Sequence, residues 1–250
     1  MNNQIVIGGN LISFSKTGEG KQTVLFLHGW RSQKEVWAQV ISKLKIIDGS
    51  FCTLDLPGFG SSSLPKNPWT VNDYAKLVAD FIFQQQLQDV ILVGHSFGGR
   101  VGIKLASHFP EIISKLVLID SAGFVSRSRK QLVYNILAAI VSPVFRPRFM
   151  QGLRAKIYKI IGASDYVASK ELRETFLNVI NEDLSEDMKK IICPTLILTG
   201  ENDTDTPVEF GERIQALIPN SRFIILPGSG HFSFIDKPEE VVKELQKFIF

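Results

Sequence analysis

The chain lacks several features that would identify other classes of protein. It has only two cysteines, Cys52 and Cys193, which lie far apart in or beside apolar runs. This excludes a disulfide framework and predicts buried, reduced thiols. No apolar run reaches the roughly 18 residues that cross a bilayer, and residues 1–16 lack the basic leader and unbroken apolar stretch of a secretory signal. We therefore expect a cytoplasmic protein.

Motifs for charged partners and for metal ions are also missing. The net charge is only +3, and no basic run has interleaved aromatic residues, so nucleic acid is not an expected partner. The sequence has no G-x-x-x-x-G-K-[ST] phosphate loop and no Cys/His cluster with metal-ligand spacing. We expect neither a metal ion nor an organic cofactor, and the oligomeric state stays open.

Short β-branched runs alternate with longer amphipathic stretches, which is typical of an α/β fold with a doubly wound, mostly parallel sheet. The predicted strands are residues 4–7, 11–15, 24–27, 51–55, 90–93, 116–119, 195–199 and 223–226. The first two flank Gly8-Gly9-Asn10, a composition that predicts an antiparallel hairpin. Helices are predicted at residues 71–86, with Thr70 as N-cap, and at 238–248, with Pro238 in first position.

One connection is too long for a loop. About 70 residues separate Ser121 from Ile192, whereas such connections usually have about 2–6 residues. Within it, residues 127–141, 148–161 and 170–180 have apolar positions at helical spacing. The sequence therefore predicts a core domain of residues 1–121 and 189–250 with an inserted helical cap at residues 122–188.

A serine stands in a glycine-rich turn after a predicted strand. Residues 94–99 read Gly-His-Ser-Phe-Gly-Gly, and a helical stretch follows them. This context predicts a nucleophile elbow, a sharp strand-to-helix turn that exposes the serine hydroxyl. The residues two before and two after the serine must be small because their backbones nearly touch, and Gly94 and Gly98 meet that need. Ser96 is therefore the predicted nucleophile.

A serine hydroxyl needs a base to take its proton and a carboxylate to orient that base. Of the four histidines, His231 is the best placed, because it lies in a glycine-rich loop directly after the last predicted strand. Asp203 follows the strand at 195–199, and the order Ser, Asp, His is that of the α/β-hydrolase fold. Asp205 and Asp120 stay open as alternative acids.

A tetrahedral intermediate needs two preorganised hydrogen-bond donors. The backbone N–H of Phe97, directly after the nucleophile, is one candidate. The backbone N–H of Trp30, in the loop after the strand at 24–27, is the other, with its indole lining the pocket. His28, Gly29 and His95 are the remaining candidates for the substrate pocket.

These segments together resemble the α/β-hydrolase superfamily, in its branch with a serine nucleophile and a helical cap. The resemblance runs from about residue 11 to 248 and rests on His28-Gly29-Trp30, the Asp-Leu-Pro-Gly-Phe-Gly turn at 55–60, the elbow, the acid loop and Gly230-His231. It implies a carboxylesterase-like enzyme that acts on a small-molecule ester or acyl substrate through an acyl-enzyme. The turn at 55–60 is expected only to shape the sheet edge.

The resemblance leaves other functions open. Epoxide hydrolase and haloalkane dehalogenase activities are disfavoured, because those relatives use an aspartate nucleophile where this chain has Ser96. C–C bond hydrolases of dienoic acids share the serine, but their oxyanion segment tends to read His-Gly-Ser-Gly-Pro-Gly, unlike residues 28–32 here. A thioesterase, an acyl-carrier methyl esterase and a non-enzymatic ligand receptor on the same fold are the further alternatives.

The predicted cap has an uneven charge pattern. No aspartate or glutamate occurs between Ala122 and Ser164, whereas eight basic residues do: Arg127, Arg129, Lys130, Arg146, Arg148, Arg154, Lys156 and Lys159. A solvated helix face is the simpler interpretation. The alternative hypothesis is a basic rim that attracts an anionic substrate, an acidic carrier or a membrane surface.

Overall fold

The computed structural model of the protein describes residues 2–45, 48–125 and 171–249. In these residues, eight strands form one sheet in the order β1-β2-β4-β3-β5-β6-β7-β8. The strands are β1 (Asn2–Ile7), β2 (Asn10–Gly18), β3 (Gln22–Leu27), β4 (Gly49–Leu54), β5 (Gln88–His95), β6 (Ile113–Ile119), β7 (Thr195–Gly200) and β8 (Ser221–Leu226). All neighbours from β4 to β8 are parallel.

The parallel strands are covered on both faces, so their residues contribute alternately to two cores. In β5, Val90 and Leu92 belong to the larger cluster, whereas Ile91 and Val93 belong to the smaller one. This alternation follows from the two-residue repeat of a strand. It explains why these strands read as unbroken apolar runs, and the predicted doubly wound α/β fold is confirmed.

The described helices are α1 (Ala38–Lys43), α2 (Val71–Gln84), α3 (Phe97–His108), α4 (Arg173–Asn181), α5 (Ser185–Met188), α6 (Val208–Leu217), α7 (Ser233–Asp236) and α8 (Pro238–Ile249). Thr70 caps α2 as predicted, because its hydroxyl accepts from the backbone N–H of Asp73 while the Asp73 carboxylate accepts from the N–H of Thr70. Pro238 begins α8, where a missing N–H costs no hydrogen bond.

The predicted N-terminal hairpin is present. β1 and β2 pair antiparallel with Ile7 opposite Asn10. Gly8 and Gly9 form the turn with φ values of +55° and +79°, a conformation that glycine adopts without a steric cost. β2 then pairs antiparallel with β4 and so joins the hairpin to the parallel strands.

The two described ends of the predicted insertion meet beside α3. The N–H of Leu184 donates to the carbonyl of Gly123 at 2.9 Å. The Arg100 guanidinium on α3 donates to the carbonyls of Phe124 and Glu182 at 2.8 and 2.7 Å. One buried cation therefore holds the chain where it leaves the core and where it returns.

Most of the insertion lies outside the described residues. This applies to the helices predicted at 127–141 and 148–161 and to all eight basic residues of the cap. The third predicted helix, at 170–180, corresponds to α4. The division of the chain at residues 122 and 188 stays a prediction.

Both cysteines are free and buried, as expected. Within the described ranges, no helix is both long and apolar enough to cross a membrane.

Candidate active site

The predicted catalytic side chains gather at one edge of the sheet. Ser96 follows β5, Asp203 lies just beyond β7, and His231 lies in the loop after β8. These strands are parallel, so their carboxyl ends lie on the same side, which is where open α/β sheets bind ligands. Residues far apart in sequence thereby reach one another.

The turn that carries Ser96 is strained and tightly packed. Ser96 has φ 50° and ψ −107°, between the end of β5 and the start of α3, and a positive φ is rare for a residue with a side chain. A Cβ atom on Gly94 would lie 2.5 Å from the carbonyl oxygen of Gly98, and one on Gly98 would lie 2.8 Å from that of His28. The glycines therefore allow β5, α3 and the end of β3 to pack close together beneath the serine.

His231 bridges the other two side chains. Its Nδ1 lies 2.8 Å from Asp203 Oδ2, and its Nε2 lies 3.1 Å from Ser96 Oγ. An ionised carboxylate only accepts hydrogen bonds, so Nδ1 carries the ring proton and Nε2 is left to accept from the serine hydroxyl. The structure thus brings Ser96, His231 and Asp203 together in an unbroken hydrogen-bonded series.

Asp203 is fixed by its own loop. Its carboxylate accepts from the backbone N–H groups of Asp205 and Thr206 at 2.8 and 2.9 Å and from the Thr206 hydroxyl at 2.6 Å. Burial alone would raise the pKa of Asp203, but the hydrogen bonds from His231 and Thr206 outweigh it, so the pKa lies below its ordinary value. Thr206 was not among the predicted site residues. A hydroxyl residue shortly after an acid in a turn is the signal that points to it.

The same carboxylate controls the charge of His231. Burial alone would lower the pKa of His231, but the hydrogen bond and the negative charge of Asp203 outweigh it and raise the pKa above its ordinary 6.5. A proton taken up from Ser96 therefore enters a ring whose cationic form is stabilised.

The two alternative acids occupy different positions. The Asp205 side chain is exposed, and its backbone N–H bonds Asp203. Asp120 is buried, and its carboxylate accepts from the N–H groups of Gly200 and Ser233 at 2.8 and 2.9 Å. Among the described residues, only Asp203 makes a carboxylate hydrogen bond to the His231 ring.

The predicted oxyanion donors lie beside the serine. A Cβ atom on Gly29 would lie 3.5 Å from Ser96 Cβ, which places the loop that contains Trp30 next to the nucleophile. Within the described part of the chain, the backbone N–H groups of Trp30 and Phe97 make no hydrogen bond. Both are therefore available to an incoming oxygen, and the Trp30 indole packs on the Phe97 ring with centroids 5.2 Å apart.

His28 and His95 differ from the expectation that they line the substrate pocket. Both rings are buried and are bonded to main-chain groups of the protein. His28 Nε2 accepts from the N–H of Leu56 at 3.0 Å, and His95 Nε2 lies 2.7 Å from the carbonyl oxygen of His231. Burial lowers the pKa of both rings, that of His95 to about 3, so both are neutral and support the main chain of the site.

Comparisons with known proteins identify the family of the chain. The model of the alpha/beta hydrolase family matches residues 24–244. The chain belongs to this family.

Similar proteins of known sequence or structure are hydrolases and esterases by name. This hydrolase is 27% identical to the uncharacterized hydrolase YugF of Bacillus subtilis, over 92% of this chain and 90% of that protein. It is 26% identical to the 2-hydroxy-6-oxo-6-(2'-aminophenyl)hexa-2,4-dienoic acid hydrolase of Metapseudomonas resinovorans, over 97% and 88% of the two chains. An esterase structure from Exiguobacterium antarcticum superposes with a TM-score of 0.80 at 25% identity and covers 100% of this chain and 99% of that one.

A buried ion pair in this hydrolase supports the loop that contains Trp30. The Asp55 carboxylate accepts from the N–H of Lys34 at 2.7 Å, from Lys34 Nζ at 2.8 Å and from the N–H of Ser61 at 3.0 Å. It thereby joins the chain after Trp30 to the glycine-rich turn at residues 55–60. From its sequence, that turn was expected only to shape the sheet edge. Nothing in the local pattern around Lys34 indicates a distant carboxylate.

Proposed function

We propose that this hydrolase cleaves carboxylic esters of small molecules through an acyl-enzyme on Ser96. The observation that carries the proposal is the position of His231, whose two ring nitrogens lie 2.8 Å from Asp203 Oδ2 and 3.1 Å from Ser96 Oγ. These distances allow one imidazole to exchange a proton with the serine while it stays oriented by the aspartate.

In the first half-reaction, Ser96 Oγ attacks the ester carbonyl carbon while its proton moves to His231 Nε2. The carbonyl oxygen becomes an oxyanion, which accepts hydrogen bonds from the backbone N–H groups of Trp30 and Phe97. The bond from the carbonyl carbon to the alcohol oxygen then breaks. The alcohol leaves with the proton from His231, and the acyl group stays on Ser96.

In the second half-reaction, water replaces the alcohol. His231 Nε2 takes a proton from the water as its oxygen attacks the acyl carbon, and it returns that proton to Ser96 Oγ as the carboxylic acid leaves. Asp203 stabilises the imidazolium in both halves because its carboxylate remains ionised. These steps use only the residues described above and water.

A substrate panel tests the proposal against its alternatives. It contains nitrophenyl esters of increasing acyl length, matched thioesters and a conjugated dienoic acid whose cleavage removes its colour. Ester turnover by the wild type, with none in Ser96→Ala, is the expected result. Faster cleavage of the dienoic acid would assign the C–C reaction named for the Metapseudomonas resinovorans relative, and faster thioester turnover would assign a thioesterase.

A fluorophosphonate probe tests the nucleophile itself. It should label the wild type, and peptide mapping should place the label on Ser96. An unlabelled wild type that still binds panel esters would favour a ligand receptor on this fold.

The same panel can test whether the basic residues at 122–164 influence substrate choice. We propose that these residues favour anionic substrates, because they include eight basic side chains and no acidic one. A carboxylate-bearing ester should then have a higher kcat/KM than its neutral match at low salt. The preference should fade in salt, since charges are screened over about 10 Å at 0.1 M. Equal, salt-insensitive rates would contradict it.

A further inference from the structure

The main chain around His231 is held by two buried side chains that take no part in the proposed proton transfer. His95, the residue directly before Ser96, bonds the carbonyl oxygen of His231. Asp120, at the end of β6, bonds the N–H of Ser233. The two bonds therefore fix the two consecutive peptide units that directly follow the His231 Cα atom.

The bond from His95 has a defined direction. A carbonyl oxygen only accepts, so the 2.7 Å contact requires His95 Nε2 to carry the proton and to donate it to His231. Nδ1 of His95 is buried without a hydrogen-bond partner, and it faces Gly29, whose added Cβ would lie 2.7 Å away. The ring is thus confined between the oxyanion loop and the histidine loop as a neutral donor.

His95 also packs directly against the catalytic ring. Its centroid lies 5.0 Å from that of His231 and 4.9 Å from that of Phe234. Because burial lowers the pKa of His95 to about 3, no second positive charge opposes the imidazolium that forms on His231.

Asp120 joins the acid segment to the histidine segment. One carboxylate oxygen accepts from the N–H of Gly200, at the end of the strand that leads to Asp203, and the other accepts from Ser233. Asp120 adopts φ +46°. Such a backbone conformation persists where the surroundings fix it, often at functional sites.

We propose that His95 and Asp120 are positioning residues that together hold His231 at hydrogen-bond distance from both Ser96 and Asp203. The inference rests on the proposed function. His95 and Asp120 hold the main chain after the His231 Cα, and the N–H of Gly230 donates to Asp236 Oδ2 at 2.9 Å before it. His231 then retains only its two side-chain torsions, and the contacts to Ser96 and Asp203 restrict these. Loss of an anchor should therefore misplace the ring, and a shift of about 1 Å at such a site costs about 100-fold in rate.

The test compares replacements of His95 that differ in one hydrogen-bond donor. His95→Leu fills a similar volume without a donor, whereas His95→Gln keeps an N–H group near the position of Nε2. Asp120→Asn weakens the second anchor, because its amide can accept only one of the two N–H groups. Thr23→Val is the matched control, since it removes a buried hydrogen bond to Ser50 at the far end of β3.

The measurements are kcat and KM for the best panel ester, the rate of fluorophosphonate labelling, and the NMR signal of the His231 Nδ1–H proton. Thermal unfolding of each variant reports stability separately. We expect His95→Leu to lower kcat and the labelling rate by about 10- to 100-fold, with little change in KM and with loss of the NMR signal. His95→Gln should keep most of the wild-type kcat and labelling rate. Asp120→Asn should lower both by less than His95→Leu does, and Thr23→Val should lose stability without a change in either.

Two results would overturn the inference. The first is a folded His95→Leu variant whose kcat and labelling rate stay within about twofold of wild type, because loss of an anchor should lower both rates far more. The other is an equal loss in His95→Leu and His95→Gln, which would assign the effect to ring packing. If the wild type neither labels nor hydrolyses esters, the proposed function fails, and the His231 signal in the same variants still decides the inference.

Discussion

Ser96 and His231 are held in place in different ways. The serine depends on its immediate neighbours, because the glycines at 94 and 98 let adjacent segments approach to van der Waals contact. The histidine depends on side chains from other strands, through bonds to His95 and Asp203, and on Asp120 through Ser233. A nucleophile can therefore be encoded in one short motif, whereas its base needs residues spread over more than 100 positions of sequence.

The largest expected effect is the loss of kcat when Ser96 or His231 is replaced. Ser96→Ala and His231→Ala should each lower kcat by about a millionfold, and the double variant should lose little more. The reason is that neither residue can activate the ester without the other. The measurement is ester turnover for the two single variants and the double variant, with circular dichroism as the control for folding. Losses that multiply in the double variant would contradict a shared role.

The orienting acid should give the next largest effect. Asp203→Asn is expected to lower kcat by about 10,000-fold, because an amide can hold the wrong histidine tautomer. Asp205→Asn is the matched control two positions away, with an exposed side chain, and should stay near wild type. A mild effect at Asp203 beside a severe one in Asp120→Asn would move the acid to β6.

A glycine-to-alanine substitution should destabilise the elbow far more than the loop that contains His231. Gly94→Ala places a Cβ 2.5 Å from a main-chain oxygen, so we expect it to lower the free energy of unfolding by about 3 kcal/mol. Gly230→Ala meets nothing closer than 3.7 Å, and we expect a change within about 0.5 kcal/mol. Urea denaturation measures both. Equal destabilisation would mean that both segments depend on glycine in the same way.

The smallest expected effect is a pH shift. His231 must be neutral to act as a base, and its pKa lies above 6.5. The kcat/KM should therefore rise with pH through an apparent pKa above that value. The groups around His231 are the carboxylates of Asp203, Asp205 and Asp120 and the neutral ring of His95. Asp205→Asn removes one negative charge, so the acidic limb should move to lower pH with kcat at the plateau unchanged.

Salt supplies the control for that shift. The difference between the wild type and Asp205→Asn should shrink at high ionic strength, because Asp205 is exposed and its field is screened. A limb that moves to higher pH, or that does not respond to the substitution, would contradict this assignment of charges.

The same contrast between local and distant determinants explains what the sequence could predict. Unbroken apolar runs identified the central strands. The elbow could be predicted because all the residues it requires lie within residues 94–98. The acid and the base were found from chain order and loop context. The geometry that joins them needed the folded chain.

The contacts that the sequence did not predict share one physical cause. Nothing near Lys34 in sequence indicates Asp55, and nothing near His95 indicates the carbonyl of His231, because each partner is brought there by sheet assembly. The end of β5 shows the same effect. The strand was expected to stop at residue 93, since glycine and histidine are weak strand formers, but pairing of His95 with Ile119 on β6 extends it.

The most direct test of the whole account is the fate of the acyl group during one turnover. When a nitrophenyl ester is mixed with the enzyme, we expect a burst of nitrophenolate equal to the enzyme concentration, a mass gain of one acyl group after acid quenching, and that acyl group on the peptide that contains Ser96. An acyl group on another residue, or turnover of the ester without any covalent species on Ser96, would contradict the account.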